Sequence, residues 1–396
     1  MKLLFVYSLK FKQDNEGNLY TDGSMSEELW KRYTYLADHV EVVSRLEPNN
    51  YTKEYASEKF NRFKTSKKSF VKVPDLYLNL KTFINFSLRM KSRKIIKQKV
   101  LENDFIIARL PSKEGYTAVK YASKYNKPYL VEVVGCAKDS LWYHSFKGKL
   151  LAIPNYFSMK KAVKNSPFAL YVTEYFLQKR YPSKGKSISC SDVLLTSTDQ
   201  EVLENRLKKI SDFSKNRPLI IGTAGAIDVK YKGQEYVIKA MAKLKKQGYQ
   251  IEYHLVGNGD KTYLKNIAQK YKVYNEVKFL GTLPHEKMYT FYDNIDIYIQ
   301  PSKSEGLPRA LIEAMSRGCP AIGSKVGGIP ELLDSKTLFT KGSVNEICHL
   351  LSKIDINFLR NQAVRNFNKS KEFNKAVLEE KRTKFYKQFL LDNVNI

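Results

Sequence analysis

Cysteine, tryptophan and long apolar runs are scarce in this sequence. Its 396 residues include four cysteines and two tryptophans. The cysteines (Cys136, Cys190, Cys319 and Cys348) lie far apart and share no metal-ligand spacing, which argues against a disulfide framework or a zinc motif and favours reduced thiols in the cytosol. No apolar run approaches the roughly 20 residues of a transmembrane helix. The N-terminal "MKLLFVY" lacks a small-residue cleavage site, so we interpret it as a first β-strand.

Acidic residues are few relative to basic ones. The chain has 40 Asp and Glu against 68 Lys and Arg, a formal net charge of +28. Residues 59–99 carry 13 basic side chains and one acid, Asp75, together with the aromatic residues Phe60, Phe63, Phe70, Tyr77, Phe83 and Phe86. Basic residues interleaved with aromatic ones suit a nucleic acid or an anionic membrane surface. A solvated, positively charged helical face is the alternative.

Short apolar runs bounded by turn residues alternate with stretches long enough for helices, and the pattern occurs twice. The runs are 3–7, 40–44, 105–110, 129–135 and 169–173 in the first half, and 219–225, 251–257, 277–281, 296–302 and 320–324 in the second. The pattern predicts an α/β protein with two Rossmann-like domains, each with a parallel sheet, facing one another across a cleft. We place the domains at 1–190 and 218–374 with a linker region at 191–217. A C-terminal helix, about 375–396, either extends the second domain or packs back on the first.

The segment "IQPSKSEGLPRALIEAM" carries two glutamates, Glu305 and Glu313, on either side of a predicted helix start. Pro308 suits the first turn of a helix, and the free N–H groups before it form an anion site. A carboxylate accepts hydrogen bonds from hydroxyl groups such as those of sugars and riboses. The arrangement therefore suits a ligand with hydroxyl-bearing rings on both sides of a phosphate.

This region resembles the retaining glycosyltransferases of family 4, which have the two-domain GT-B fold. The resemblance is dense from Pro301 to Glu331 and includes the second glutamate eight positions after Glu305, "EAM-x-x-G-x-P" and "GG-x-PE". It implies that Glu305 contacts the donor sugar and that Gly306 and Leu307 bind the donor beside it. Glu305 and Lys232 are our candidate catalytic residues. It also implies that Glu313 binds the ribose hydroxyls of a nucleotide.

Other blocks follow the order of the same family. "AGAIDVKYKG" resembles its strand–loop–helix, in which Lys232 reaches the donor diphosphate and Gly225 ends the strand. Ala226 stands where the family usually has Arg, so one cation is absent or is supplied by Lys230. Further donor-binding candidates are Gly257 in "VGNGD" and the backbone of Gly281, Thr282 and Leu283 near the base.

The first half carries weaker signals. The long loop after the first strand includes Gly23 and Ser24, our candidates for the family's phosphate-side glycine loop. Arg109 ends a predicted strand and suits either an anionic group or a structural ion pair. His144 follows the strand "YLVEVVG" and is a further candidate for the acceptor side, although a surface histidine is the commoner case.

The resemblance implies a metal-independent reaction without a cofactor, and no Asp-x-Asp motif is present. The donor would be a nucleotide-diphosphate sugar, with a UDP-sugar the first choice. The acceptor would be a lipid-linked glycan or polysaccharide, used in building the cell surface. Residues 59–99 would then hold an anionic membrane surface, which places the enzyme at the cytoplasmic face of the membrane rather than on nucleic acid.

Two other classes of function remain open from the sequence. A GT-B fold also serves sugar-nucleotide epimerases and phosphorylases, which need an acid–base set or a pyridoxal-bearing lysine that we cannot assign. A binding protein for nucleic acid or an anionic surface would use the charge, but it would leave the glutamate segment unexplained.

Overall fold

The structure is a computed structural model that describes residues 1–21, 25–143, 146–193, 195, 199–214 and 217–394. For residues 80, 83, 146, 147 and 285 it describes the backbone and not the side chain. Within these ranges the chain forms two sheets, each flanked by helices. The α/β architecture with two Rossmann-like sheets that the sequence predicts is confirmed.

The first sheet is built around the buried strands that the apolar runs predict. Its parallel part has the order β5-β3-β1-β6-β7-β8-β9, and β2 and β4 add antiparallel pairs at the far end of β1. Strand β6, "FIIARL", is buried along its whole length because helices cover both faces of the sheet. The elements of this half are β1 (Lys2–Asp14), β2 (Leu19–Thr21), α1 (Glu27–Thr34), β3 (His39–Tyr51), α2 (Lys53–Lys59), β4 (Asn61–Arg62), β5 (Lys68–Val73), α3 (Leu80–Ile84), α4 (Phe86–Glu102), β6 (Phe105–Leu110), α5 (Lys113–Lys124), β7 (Tyr129–Val133), α6 (Ala137–Trp142), α7 (Phe146–Lys164), β8 (Phe168–Tyr171), α8 (Phe176–Arg180) and β9 (Lys186–Ser189).

The second sheet is parallel throughout, with the order β12-β11-β10-β13-β14-β15. The strand order reverses between β10 and β13, and the carboxyl ends of these two strands define the switch point where ligands bind in such sheets. The elements are α9 (Gln200–Ser211), β10 (Leu219–Ala224), α10 (Gln234–Lys245), β11 (Ile251–Val256), α11 (Thr262–Lys270), β12 (Val277–Gly281), α12 (His285–Asn294), β13 (Ile297–Gln300), α13 (Arg309–Ser316), β14 (Ala321–Ser324), α14 (Ile329–Leu332), β15 (Leu338–Phe339), α15 (Val344–Ser352), α16 (Ile356–Ser370) and α17 (Lys375–Asn393).

The region predicted as a linker, 191–217, contains helix α9. Leu203 and Ile210 of this helix lie in the hydrophobic core of the second domain. Arg206 donates hydrogen bonds to the carbonyl oxygens of Tyr292 and Ile295, at 2.5 and 2.8 Å. The amphipathic pattern of α9 therefore attaches it to the second domain, within the region predicted as a linker.

Helix α17 packs on the first domain. Phe389 contacts the rings of Phe105 and Phe168, with centroids 6.0 and 5.3 Å apart. Arg382 of the same helix is buried and donates a hydrogen bond to the carbonyl oxygen of Ser191 at 2.6 Å. The C-terminal helix thus crosses back from the second domain and covers one face of the first sheet.

The basic segment 59–99 divides into a buried and an exposed part. Phe63 is buried and packs edge-on against Phe11, and Phe70 of β5 stacks on the same ring. Phe86, at the start of α4, is 72% exposed. Phe83 lies outside the described side chains. In the part of the chain that the structure describes, no helix has both the length and the apolar character needed to cross a membrane.

Candidate functional site

The loop between β13 and α13 lies at the switch point of the second sheet and touches the first domain. A Cβ atom at Gly306 would lie 2.5 Å from the carbonyl oxygen of Val134, just after β7. Such a contact leaves no room for a larger residue. The residue type at position 306 therefore allows the loop to approach the first domain at the centre of the cleft.

Glu305 is held by three donors that converge on one of its oxygens. Its Oε1 atom lies 2.8 Å from Nζ of Lys232, 2.7 Å from Oγ of Ser302 and 3.0 Å from Nε2 of Gln300. Gln300 is in turn fixed by the hydroxyl of Tyr298, which donates to its Oε1 atom at 2.9 Å. The carboxylate is thus fixed in position at the carboxyl end of β13.

Lys232 ends a short 3-10 turn, Lys230–Lys232, that precedes α10. Burial lowers the pKa of Lys232, but the charge and the hydrogen bond of Glu305 outweigh it, so its pKa is raised from the ordinary value. The side chain therefore remains a cation at neutral pH. It presents a fixed positive charge at the mouth of the cleft.

Glu313 lies on α13, half-buried and separate from the cluster around Glu305. The hydroxyl of Tyr292, on α12, donates a hydrogen bond to its Oε2 atom at 2.9 Å. Burial and the negative charge of Glu313 raise the pKa of Tyr292 well above its usual value, so the phenol keeps its proton. Because Leu311, Ile312 and Met315 are buried, α13 is fixed and Glu313 is held on its partly exposed face.

Three predicted glycines meet where β10, β11 and β12 end. The N–H of Gly225 donates to the carbonyl oxygen of Val256 at 2.8 Å, and that of Gly257 donates to Gly281 at 2.9 Å. A Cβ atom at Gly257 would lie 1.9 Å from the carbonyl oxygen of Gly225. The absence of side chains here leaves a flat backbone surface beside the β10 and β13 ends.

The remaining candidates of the second domain lie around this surface. Lys230 is exposed, with its Nζ atom 4.6 Å from the ring centre of Tyr263. Thr282 is exposed and Leu283 packs against the core beside α12. Leu307 is half-buried between the two domains, where it lines a small cavity of about 160 Å³ with Arg109 and Arg309.

Arg109 lies in a buried cluster of charges in the first domain. One of its guanidinium nitrogens contacts Glu132 at 2.9 Å, and another contacts Asp192. Burial raises the pKa of Asp192, but the positive charges of Arg109, Arg382 and Arg32 outweigh it and lower that pKa. Arg109 therefore forms a structural ion pair, one of the two alternatives that the sequence leaves open. It also lines the small cavity between the two domains.

The predictions for Gly23, Ser24 and His144 lie outside the described residues. The described part of the chain has no group of three or more His, Cys, Asp or Glu that could hold a metal ion.

Sequence reasoning missed several residues of the cleft. Gln300 and Ser302 are polar residues at the end of a buried strand, a signal that was available. Glu331 belongs to the quoted "GG-x-PE" motif, yet no role was assigned to it. Its carboxylate accepts hydrogen bonds from the backbone N–H groups of Glu174 and Phe176 in the first domain, at 2.6 and 2.7 Å.

Comparison with known proteins gives a consistent match. The family model described as "Glycosyl transferases group 1" matches residues 205–362. The protein CapJ of Staphylococcus aureus is 32% identical over 362 residues, which covers 89% of this chain and 86% of that protein. The amylovoran biosynthesis glycosyltransferase AmsK of Erwinia amylovora is 33% identical over 149 residues, 35% of this chain and 36% of its own length.

The fold is also similar to solved structures over the whole chain. The crystal structure of Anabaena Alr3699/HepE in complex with UDP-glucose superposes with a TM-score of 0.66 at 16% identity, over 98% of this chain and 100% of that one. At this identity the likeness concerns the fold alone. The superposed residues include both sheets and the cleft between them.

Proposed function

Since the chain belongs to the group 1 glycosyl transferases and is a retaining enzyme with the GT-B fold, we propose that it uses a UDP-sugar as donor. It transfers the sugar to a hydroxyl of a lipid-linked or polysaccharide acceptor in cell-surface polysaccharide biosynthesis. The observation that carries the proposal is the pair of separate carboxylates, Glu305 with Lys232 at 2.8 Å and Glu313 with Tyr292 at 2.9 Å, on either side of the start of α13.

The second domain holds the nucleotide in this proposal. Glu313 accepts hydrogen bonds from the ribose hydroxyls, and its bond from Tyr292 fixes the carboxylate for that task. The backbone around Gly281, Thr282 and Leu283 contacts the base. The flat surface at Gly225 and Gly257 lets the diphosphate approach the backbone closely, near the start of α13, whose N–H groups favour an anion.

The diphosphate leaves with negative charge, and that charge needs stabilisation in the transition state. Lys232 provides it as a cation fixed in place. Lys230 supplies the second positive charge that the family usually takes from an Arg at the position of Ala226. Glu305 contacts the donor sugar and holds Lys232 in place. The acceptor hydroxyl attacks from the face that the diphosphate leaves, and a diphosphate oxygen takes its proton.

The identity of donor and acceptor is supported by the relatives. HepE is described in complex with UDP-glucose, and AmsK is named for amylovoran biosynthesis. A polysaccharide acceptor assembled on a lipid lies at a membrane. The exposed part of segment 59–99, with its basic residues beside Phe86, Met90 and Ile84, supports attachment to the cytoplasmic face of an anionic membrane.

The proposal is tested by binding and turnover with the full chain. Calorimetric titration should give binding to UDP and UDP-glucose without added metal, and weaker binding to GDP and ADP. UDP release from UDP-sugars should rise when membrane extracts containing lipid-linked glycans are added. Tight binding of an oligonucleotide with no binding of any sugar nucleotide would contradict the proposal, and UDP release without an acceptor product would favour an epimerase.

A further inference from the structure

An apolar stripe runs along helix α7 and faces solvent. Leu150, Ile153 and Phe157 lie three and four positions apart, on one side of the helix, and are 70%, 43% and 61% exposed. Tyr175, just before α8, is exposed beside them, at 66%. Grouped large apolar side chains in water mark a binding surface rather than ordinary surface variation.

The stripe borders a groove that both domains line. Ile153 and Phe157 of α7 and Tyr175 and Phe176 near α8 form one wall, and Gly327, Pro330 and Glu331 of the second domain form the other. The groove has a volume of about 670 Å³, which lies within the range of pockets that hold small molecules. Its walls thus belong to the donor-side and acceptor-side domains at once.

Positive charge surrounds this groove. Lys138, Lys179 and Arg180 line it. Arg180 pairs with Asp139 at 3.0 Å, whereas no described carboxylate lies within ion-pair distance of the Nζ atoms of Lys138 and Lys179. The one acid of the lining, Glu331, is engaged by backbone N–H groups. The Nζ atom of Lys138 also lies over the ring of Trp142, 5.7 Å from its centre. An apolar wall beside two lysines that have no carboxylate partner among the described residues complements a ligand that joins an apolar chain to an anion.

The groove ends beside the candidate catalytic loop. A Cβ atom at Gly327, which lines the groove, would lie 2.3 Å from the carbonyl oxygen of Glu305. A ligand that fills the groove would therefore reach the loop that carries Glu305.

From this geometry we propose that the groove binds the isoprenoid diphosphate end of a lipid-linked acceptor. The isoprenoid chain lies against Ile153, Phe157 and Tyr175, and Lys138 and Lys179 hold the diphosphate. The inference rests on the proposed function, because it identifies where its acceptor binds. Neither a free sugar nor a free phosphate would cover the apolar stripe.

The test uses farnesyl diphosphate as the probe and titration calorimetry with the full chain. Wild type should bind it at least tenfold more tightly than farnesol or inorganic pyrophosphate. Phe157→Gln should weaken binding by about tenfold, because the isoprenoid chain would no longer bury an apolar ring at this position. Lys179→Gln should weaken it several-fold, and Leu391→Gln, at an exposed leucine of α17, is the matched control.

Binding of UDP reports on the donor site, and binding of farnesyl diphosphate reports on the groove. UDP binding should be unchanged in all three variants, which shows that the fold and the donor site are intact. Equal binding of farnesol and farnesyl diphosphate, or equal effects of Phe157→Gln and Leu391→Gln, would overturn the proposal. A concentration-dependent dimer that Phe157→Gln dissociates would identify the stripe as a self-interface and would overturn it too. If wild type itself does not bind UDP, that result would instead contradict the assignment of the donor site.

Discussion

Glu305 and Glu313 differ in their neighbours, so their substitution should have different effects. In the proposed function, Glu313→Gln removes the charge that the ribose hydroxyls contact, and hydrogen bonds to charged groups are worth about 1.5–3 kcal/mol. We expect UDP binding to weaken about ten- to a hundredfold. Glu305→Gln leaves the nucleotide contacts in place but removes the partner of Lys232, so UDP binding should change little while kcat falls by about 10²–10³.

Calorimetry with UDP and steady-state turnover with a UDP-sugar measure these two effects. Glu380→Gln is the control, because Glu380 is an exposed acid on α17 whose one ion pair among the described residues is with Lys384, at 2.7 Å. The assignment fails if both site variants bind UDP and turn over as wild type does. It also fails if Glu305→Gln abolishes UDP binding while Glu313→Gln does not, because the roles would then be reversed.

Residues of this site differ in how far a sequence can locate them. Glu305, Glu313 and the start of α13 lie within one short segment, so local rules of strand end, proline and helix start place them correctly. Lys232 reaches Glu305 across 73 residues. The likeness to a family motif assigns both residues to the donor, but neither the motif nor the spacing predicts their ion pair. The contact of Arg109 with Asp192, over 83 residues, depends on packing that no local pattern encodes.

At the scale of elements, the apolar runs of four or more residues predict strands, whereas two polar strands of the first sheet have no such run. Strands β6 and β13 are wholly buried and were located to within a few residues. Strands β5 ("KSFVKV") and β9 ("KSIS") lie towards the edges of the first sheet, where partial exposure permits lysine and serine. Their composition resembles a loop, because an edge strand needs neither a continuous apolar run nor full burial.

Helix α4 provides a test of membrane attachment. Phe86 and Met90 are exposed near its start, and Lys91 and Lys94 are exposed beside them. Wild type should co-sediment with vesicles that contain phosphatidylglycerol, and less so in 1 M salt, where charges are screened within about 3 Å. Lys91→Gln and Lys94→Gln should each weaken binding about fivefold, since a basic residue near an anionic surface contributes about 1 kcal/mol.

The matched controls for this test are Lys246→Gln and Lys270→Gln, at exposed lysines of the second domain. Each control removes one positive charge, as the variants of α4 do, but at a position outside α4. Equal binding to neutral and anionic vesicles, or equal loss in both pairs of variants, would show that α4 is not the attachment surface.

At the scale of the whole molecule, the two domains meet through contacts that a change of their relative position would alter. Gly306 of the second domain approaches Val134 of the first, and Lys341 donates a hydrogen bond to the hydroxyl of Tyr143 at 2.5 Å. Glu331 contacts the backbone before α8. Together these contacts join the two domains across the cleft. In the proposed reaction, contact between the domains excludes water from the site, so that transfer competes with hydrolysis of the donor.

The Glu331 contact can be weakened without a change of shape. Glu331→Gln keeps one oxygen acceptor but loses the charge, so the bonds from the N–H groups of Glu174, Tyr175 and Phe176 should weaken. Because Glu331 is half-buried, we expect a cost of about 1 kcal/mol, below the range for fully charged hydrogen bonds. An arrangement in which the two domains lie further apart should then be more populated in the free protein. Small-angle X-ray scattering should show a larger radius of gyration, and kcat/KM should fall several-fold.

Glu174→Gln is the matched control for this variant, because Glu174 is exposed at the same place. Within the described part of the chain, its side chain is hydrogen-bonded to the hydroxyl of Tyr175 alone, at 3.3 Å. Scattering separates a change in domain arrangement from a change in the groove that Glu331 also lines, because the measurement needs no acceptor. UDP should restore the compact radius in Glu331→Gln if the donor draws the domains together. If the radius of gyration and the turnover are both unchanged, Glu331 merely accepts hydrogen bonds from the backbone at the start of α8. The contact between the domains would then depend on the approach of Gly306 to Val134.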